Sequence, residues 1–367
     1  MKIKKINNNG INGISKKYDL CNHCLSRLES KKTTGSTKKC FICKNIFQHL
    51  DDIVNRIFTT VSSYEFSDFD TGVMLKHSLS DRDDLIKSAF KIKGVSSIKT
   101  NINHEIAKKI SRKIKKKLSH SNADLIVTVN LKDHSYEIYS KPIFIYGRYI
   151  KKTRLLAQKQ RSCNNCSGKG CHACSFHGLQ NFNSVEGKIT EFLIKKFDCQ
   201  QVKFNWLGGE EKSSLVLGNG RPFFVKITNP KRRTTVIRRN NKLDGIELVE
   251  LRKITELPKG QIFFKSKVLI LVRTEKPVKS SIINYLDRLD MPLEIQVRGK
   301  KTLVKNIYKI NIKKTPSNLL KISIYLDGGI PIKPLIQNTD VVPNFTNLLK
   351  TKCECIQFDF KKIDVMS

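Results

Sequence analysis

The sequence predicts an α+β protein whose second half carries a mixed, mostly antiparallel sheet. Three observations predict it: a basic amphipathic helix beside short strands in the first half, six strand-like apolar runs with only two helix patterns after about residue 183, and two cysteine quartets at metal-binding spacing. At 367 residues the chain is long enough for two or three domains whose cores need no disulfides.

Charge narrows the partner. The chain carries 69 Lys+Arg against 32 Asp+Glu, a formal net charge of +37. That excess selects a polyanion, either nucleic acid or an anionic membrane surface. The longest aliphatic run, "VLILV" at Val268–Val272, has the length of a strand and not of a membrane span. The opening "MKIKKINNNGINGISKK" is basic with no apolar core behind it, so it reads as a mobile tail and not a secretory leader. A cytoplasmic protein with no membrane segment is expected.

A reducing compartment disfavours disulfides, so the eleven cysteines need another explanation. Cys21 and Cys24 in "CNHC" and Cys40 and Cys43 in "CFIC" form two Cys-x2-Cys knuckles, which can present four thiolates to one Zn2+. Cys163, Cys166, Cys171 and Cys174 in "CNNCSGKGCHAC" form a tighter quartet, with Gly168 and Gly170 for the turns and a possible second metal. His23 reads as a bystander, whereas His172 and His177 are alternative ligands. Cys199, Cys353 and Cys355 have no partner at metal spacing and read as ordinary thiols.

Residues 1–50 thus read as the tail and a zinc module too small to fold without its metal. Within 51–150, Ile106, Ile110, Ile114 and Leu118 fall at i, i+4 spacing over "HEIAKKISRKIKKKL", an amphipathic helix with a basic outer face. "ADLIVTVNL" and "SYEIYSKPIFIYGRYI" read as two strands. In the second, Tyr146, Arg148 and Tyr149 are an RNA-binding candidate, because aromatic rings beside a guanidinium can stack on bases and hold a phosphate. Residues 151–182 read as a cysteine-rich linker.

The last segment, 183–367, opens with a helix over "NSVEGKITEFLIKKF", with Asn183 and Glu186 three apart as a capping box. Strands follow at "PFFVKI", "GIELVEL", "KVLILV", "LEIQV", "KNIYKINI" and "KISIYL", with a second helix over "SSIINYLDRL".

Several stretches together resemble one family. "LCNHCLSRL" (20–28), "KPIFIYGRYIK" (141–151), "CNNCSGKGCHAC" (163–174), "NSVEGKI" (183–189) and "LGNGRPFFVKITNPKRR" (217–233) make the chain similar, over nearly its whole length, to the Pus-ten family of tRNA pseudouridine synthases. The resemblance implies a THUMP-type RNA-binding module over 51–150 that holds tRNA, and a pseudouridine synthase fold over 183–367 that acts on T-arm uridines.

It also implies roles for residues. The family's Gly-Arg-Glu-Asp turn corresponds to Gly208, Gly209, Glu210 and Glu211, which makes Glu211 the catalytic carboxylate, one methylene longer than the family's Asp. Tyr308 stands where the family has a Tyr expected to stack on the target uracil. Of Gly-x-Tyr-Ile-Lys-Glu, Lys333 remains as a substrate-binding residue, while Pro331 replaces the Tyr and Pro334 the Glu. The family's following Gly-Arg-Thr is not recognisable in "NTDVVPNF". Arg221 braces the catalytic turn or binds RNA.

The chemistry needs a carboxylate that attacks C1′ or removes the 2′ proton of a uridine flipped out of its stack. No organic cofactor is consumed, zinc is structural, and no obligate protein partner is implied. A competing reading keeps the fold and the RNA but not the catalysis, making a zinc-bearing tRNA-binding protein or chaperone. The two part on whether Glu211 lies in a pocket facing Tyr308 with a cation beside it. Methylation chemistry would need a glycine-rich nucleotide loop opening a helix, and "LGNGRPF" runs into a strand instead.

Overall fold

The computed structural model describes residues 14–28, 34–288, 292–297, 302–337 and 340–366. The first 13 residues of the expected tail lie outside that set, as does Leu289 at the end of the "SSIINYLDRL" helix. The chain forms two compact units, Met1–Lys141 with Asn229–Thr234, and Pro142–Thr228 with Thr235–Ser367.

The first unit runs through α1 (Ile14–Lys17), α2 (Asn22–Leu28), α3 (Leu50–Val61), β1 (Asp68–Met74), α4 (His77–Ala89), α5 (Ile98–Ile114), β2 (Lys117–Leu118), β3 (Leu125–Asn130) and β4 (Ser135–Ser140). Its sheet has the order β2-β1-β3-β4, with β1 parallel to both neighbours and β4 antiparallel to β3. Ile98, Ile102, Ile106 and Ile110 put one apolar stripe of α5 into the core with Phe69, Leu125, Val127 and Val129. Burying each such side chain is worth roughly 1.5–3 kcal/mol, so Ile106→Ala, which also leaves a cavity, would cost roughly 2–5 kcal/mol.

Ser97 starts α5 by accepting from Thr100 N at 3.1 Å, and Lys115 ends it in the left-handed region at φ 55°. The helix expected over 104–118 therefore stops four residues early, and Leu118 joins β2 opposite Phe69. Asp83, buried on α4, pairs with Arg27 of α2 and with Lys87 at 2.9 Å, and accepts from Ile98 N at 3.0 Å. One carboxylate thus ties three helices together.

The second unit contains β5 (Ile143–Lys151), α6 (Val185–Phe197), β6 (Gln201–Trp206), β7 (Val216–Thr228), β8 (Asn241–Leu243), β9 (Ile246–Ile254), β10 (Phe264–Thr274), α7 (Ser280–Asp287), β11 (Leu293–Val297), β12 (Leu303–Thr315), β13 (Leu319–Asp327), α8 (Ile332–Gln337), β14 (Val341–Val342), α9 (Phe345–Leu349) and β15 (Cys353–Val365). The sheet order is β14-β11-β12-β13-β10-β15-β7-β5-β9-β8, with β6 also on β7. Its pairs are antiparallel except β15 with β7, which meet in parallel at Phe360 and Val216. Helices α6 to α9 contribute Leu193, Phe197, Leu286, Leu335, Ile336 and Phe345 to its core.

Two expectations change here. The run Ser135–Ile150 is two strands in two sheets, broken before Pro142, so β5 belongs to the second unit and the cysteine-rich segment lies inside that unit. The cap of α6 is Ser184, whose Oγ accepts from Gly187 N at 2.9 Å, and not Asn183.

Two irregularities shape the site. β5 shifts register between Tyr149 and Lys151, and both side chains are fully buried. In β7, Gly218 (φ 59°) and Gly220 (φ 74°) flank Asn219, and a Cβ at Gly218 would lie 2.0 Å from Lys361 O. Asn219 exchanges two hydrogen bonds with Ile363, at 2.9 and 3.0 Å. "GNG" is thus a bulge pressed onto β15, the geometry only glycine permits.

Candidate active site

The loop from β6 to β7 carries the two adjacent carboxylates. It turns at Gly208 (φ 75°), where a Cβ would come within 2.8 Å of Arg221 Nη1 and of the Phe264 ring. Glu210 is completely buried: Oε1 lies 2.9 Å from Lys151 Nζ, Oε2 lies 3.2 Å from Arg221 Nε, and Tyr149 OH donates to Oε2 at 2.9 Å. Burial first, and the Glu210 charge second, hold the Tyr149 phenol well above its usual 10, so it stays a donor.

The same cations grip the loop backbone. Lys151 Nζ donates to Leu156 O at 2.9 Å and to Glu211 O at 3.2 Å, and Arg221 Nη1 donates to Leu207 O at 3.0 Å. Gln158 Nε2 donates to Tyr149 OH at 3.0 Å and to Gly208 O at 3.3 Å. An interior ion cluster therefore fixes both ends of the turn.

Glu211 points the other way. Its half-exposed side chain places Oε2 2.7 Å from Lys333 Nζ at the start of α8, and this contact raises the lysine pKa above its ordinary 10.5. Both residues line a cavity of about 300 Å³ whose wall includes Phe264, Phe358 and Phe360.

The other sequence candidates are placed differently. Tyr308 is absent from the lining of that cavity. The register of β12 against β13 shifts between Ile307 and Lys309, so Tyr308 sits in the bulge. Its hydroxyl donates to Asp327 Oδ1 at 3.0 Å, and Lys265 Nζ lies 3.6 Å from its ring centroid. It lines a second cavity of about 700 Å³ that shares Gly208, Phe264, Gly328 and Gly329 with the first.

Arg221 is buried as a brace, stacked over Phe360 at 4.3 Å, with Nη2 left without a protein partner. Tyr146, Arg148 and Tyr149, expected to meet RNA, are buried in a strand paired on both sides. Arg148 donates to the carbonyls of Gly220 and Ile363 at 3.0 Å, Tyr146 lies under Arg252 at 4.3 Å, and Tyr149 serves Glu210. Their side chains are the interior of this half and not its surface. Lys151 was no sequence candidate; its one signal is its place two residues after Tyr149 at the end of an apolar strand.

The cysteines come together as their spacing implied. Within each quartet, Cys21, Cys24, Cys40 and Cys43, and Cys163, Cys166, Cys171 and Cys174, all four Sγ atoms lie within 4.8 Å of one another, so each group could hold a metal ion. In the second, the separations Cys163–Cys171 (4.0 Å), Cys166–Cys174 (3.8 Å) and Cys171–Cys174 (3.8 Å) match the edge of a tetrahedron of metal–sulfur bonds of about 2.3 Å. Backbone N–H groups of Gly170, Cys171 and Gly178 donate to its sulfurs at 3.2–3.3 Å, an arrangement that suits metal-bound sulfur. His23 stacks on Phe47, while the rings of His172 and His177 pack on Phe176 and Phe182. Among the described residues, no helix is long and apolar enough to cross a membrane.

Two family profiles match the chain: "Pus10 THUMP domain, archaeal" over residues 53–130 and "Pus10, C-terminal" over residues 144–364. Curated relatives include the tRNA pseudouridine synthase Pus10 of Nitrosopumilus maritimus, 39% identical over 96% of this chain and 97% of that one. The proteins of the same name from Cenarchaeum symbiosum and Korarchaeum cryptofilum are 29% and 26% identical, each over 95% of this chain, and over 90% and 98% of theirs.

Proposed function

The chain belongs to the Pus10 family of tRNA pseudouridine synthases, and we propose that Glu211, paired with Lys333, is the carboxylate through which it isomerises a uridine of the tRNA T-arm. One observation carries the assignment. Of two adjacent carboxylates, Glu210 has both oxygens taken by interior partners, whereas Glu211 faces a cavity beside a single ammonium group.

The target nucleotide leaves its stack and lays its ribose against Glu211, with its base against the phenylalanine wall. The carboxylate attacks C1′, or removes the 2′ proton, as the bond from C1′ to N1 breaks. The freed uracil turns in place and C5 bonds to C1′, breaking the bond between C1′ and the Glu211 oxygen on the first route, or as Glu211 returns the proton to C2′ on the second. The proton leaves C5, N1 takes one up, and Glu211 returns to its starting state with atoms and charge balanced. Lys333 pairs with the Glu211 carboxylate at 2.7 Å, while Lys151, through Glu210 and the Glu211 carbonyl, holds the loop still. Misplacement by about 1 Å would cost roughly a hundredfold in rate.

Each cysteine quartet would hold one structural Zn2+, closed by four thiolates with no open position. The first unit, which contains the THUMP match, would hold the tRNA, and the protein would work in the cytoplasm where that substrate is.

The test is pseudouridine mapping on an unmodified tRNA transcript with wild-type protein, Glu211→Ala and Glu211→Asp. Conversion at a T-arm uridine that disappears with alanine is expected. Full conversion by Glu211→Ala would overturn the assignment. Tight, salt-sensitive binding with no conversion by the wild type would leave a tRNA-binding protein.

A further inference from the structure

The cavity lined by Tyr308 is larger than the one that holds Glu211, about 700 Å³ against about 300 Å³, and its wall exposes what a folded chain normally hides. Phe263 is 60% exposed, Leu303 53%, Val304 56% and Met366 47%, and all four line this cavity. Exposed apolar residues scattered singly need no explanation, but four around one hollow mark a binding surface.

The surroundings identify what would bind. Lys265 and Lys305 belong to the same wall as one carboxylate, Asp327, which accepts from Tyr308 OH and Asn306 N, so two cations face one acid along the border of the apolar surface. Apolar and aromatic groups beside ammonium groups suit an unstacked nucleotide, whose base has two π-faces and whose phosphate is an anion. The cavity also adjoins the candidate active site. Gly328 and Gly329 belong to both linings, and a Cβ at Gly328 would lie 2.4 Å from the Phe264 ring, so a larger residue would thicken the partition.

We propose that this second cavity holds the nucleotide next to the target in the same RNA strand, its base against Phe263 and Tyr308 and its phosphate toward Lys265 and Lys305. The inference rests on the target lying in the Glu211 cavity. Tyr308 then acts on the neighbour of the reacting base and not on that base itself.

The experiment uses a T-arm RNA with the target uridine intact and the base of its 5′ or 3′ neighbour removed. For one of the two abasic RNAs, KM should rise about tenfold with kcat nearly unchanged, the size expected of one lost stacking contact. Phe263→Ala should raise KM by a similar factor on intact RNA and add little on that abasic RNA, because both remove the same contact. If both abasic RNAs behave like the intact one, or if the two losses multiply, the inference is overturned. It is also overturned if Tyr308→Ala abolishes kcat equally on intact and abasic RNA, since the target base itself would then occupy this cavity. Loss of conversion in Glu211→Gln, measured alongside, shows separately whether the active-site assignment stands.

Discussion

Glu210 and Glu211 are neighbours in sequence with opposite surroundings: the first is sealed between Lys151 at 2.9 Å and Arg221 at 3.2 Å, the second faces a cavity 2.7 Å from Lys333. Their substitutions should therefore separate folding from chemistry. Glu210→Gln leaves two buried cations against a neutral amide and should destabilise the second unit by roughly 3–5 kcal/mol. Glu211→Gln breaks a half-exposed pair, worth about 0.2–1 kcal/mol, and should abolish conversion in a protein that melts almost like the wild type. Denaturant unfolding beside pseudouridine mapping checks both. A Glu210→Gln protein of unchanged stability would contradict the ion cluster.

Lys333 gives a pH prediction. Its pKa is raised above 10.5, chiefly because its ammonium donates to the Glu211 carboxylate. A raised folded value means the pairing is fully present below the unfolded pKa and is lost only as pH climbs through the folded one. The pH–rate profile should therefore show no alkaline fall from Lys333 between neutrality and about pH 10. Lys333→Gln should slow conversion about tenfold or more at every pH in that window, the scale of a lost electrostatic partner at a reacting group. A wild-type profile that falls at pH 9 and stays flat in Lys333→Gln would refute it.

A second clamp holds the far side of the turn. Arg154 meets both oxygens of Asp359 at 2.9 Å and donates to Ser213 O at 2.6 Å, while Asp359 Oδ1 accepts from Leu215 N at 2.9 Å. Burial opposes ionisation of Asp359, but Arg154 and the Leu215 N–H outweigh it and hold its pKa below the ordinary 3.8. A lowered carboxyl pKa stabilises above the unfolded value, and that contribution disappears as pH falls through the folded one. Asp359→Asn should cost about 2 kcal/mol at neutral pH and less at pH 3, which lies below the ordinary 3.8. Equal losses at the two pH values would show that its role is packing and not charge.

Strand positions were legible because apolar alternation sets the faces of β9, β10, β12 and β13 directly. Strand partners were not: nothing in "SYEIYSKPIFIYGRYI" says that its two ends enter different sheets, beyond the proline between them. The same limit governs the site. Tyr146, Arg148 and Tyr149 have the residue types of an RNA-stacking surface and of a buried polar strand alike, and only what covers the faces of β5 decides. α3 shows its stripe of Leu50, Ile53, Val54, Ile57 and Val61 in the sequence, whereas α4 buries Asp83 among few apolar residues and offers no such signal. Short-range cysteine spacing needed no tertiary information, and both quartets form.

The second quartet should matter to the reaction although it lies outside the Glu211 cavity. Its segment is closed by Cys163 N donating to Gly178 O at 2.8 Å and is tied to β6 by Gln201 Nε2 donating to Gly168 O at 2.7 Å. The stretch just before it carries Gln158, which holds Tyr149 OH and the Gly208 carbonyl. Losing the metal proposed there should loosen this stretch and, through Gln158, the turn that bears Glu211. Cys166→Ser should therefore lower bound zinc from two per chain to one and cut kcat about tenfold, within the range seen when outer support of a site is removed. Affinity for tRNA should change much less, since Cys166 lies in the second unit and the THUMP match in the first. Metal analysis by atomic emission, with kcat and KM measured separately, checks this. A content of one zinc per chain in the wild type, unchanged in Cys166→Ser, would rule out a metal on that quartet, and a loss confined to KM would place the segment in RNA binding instead.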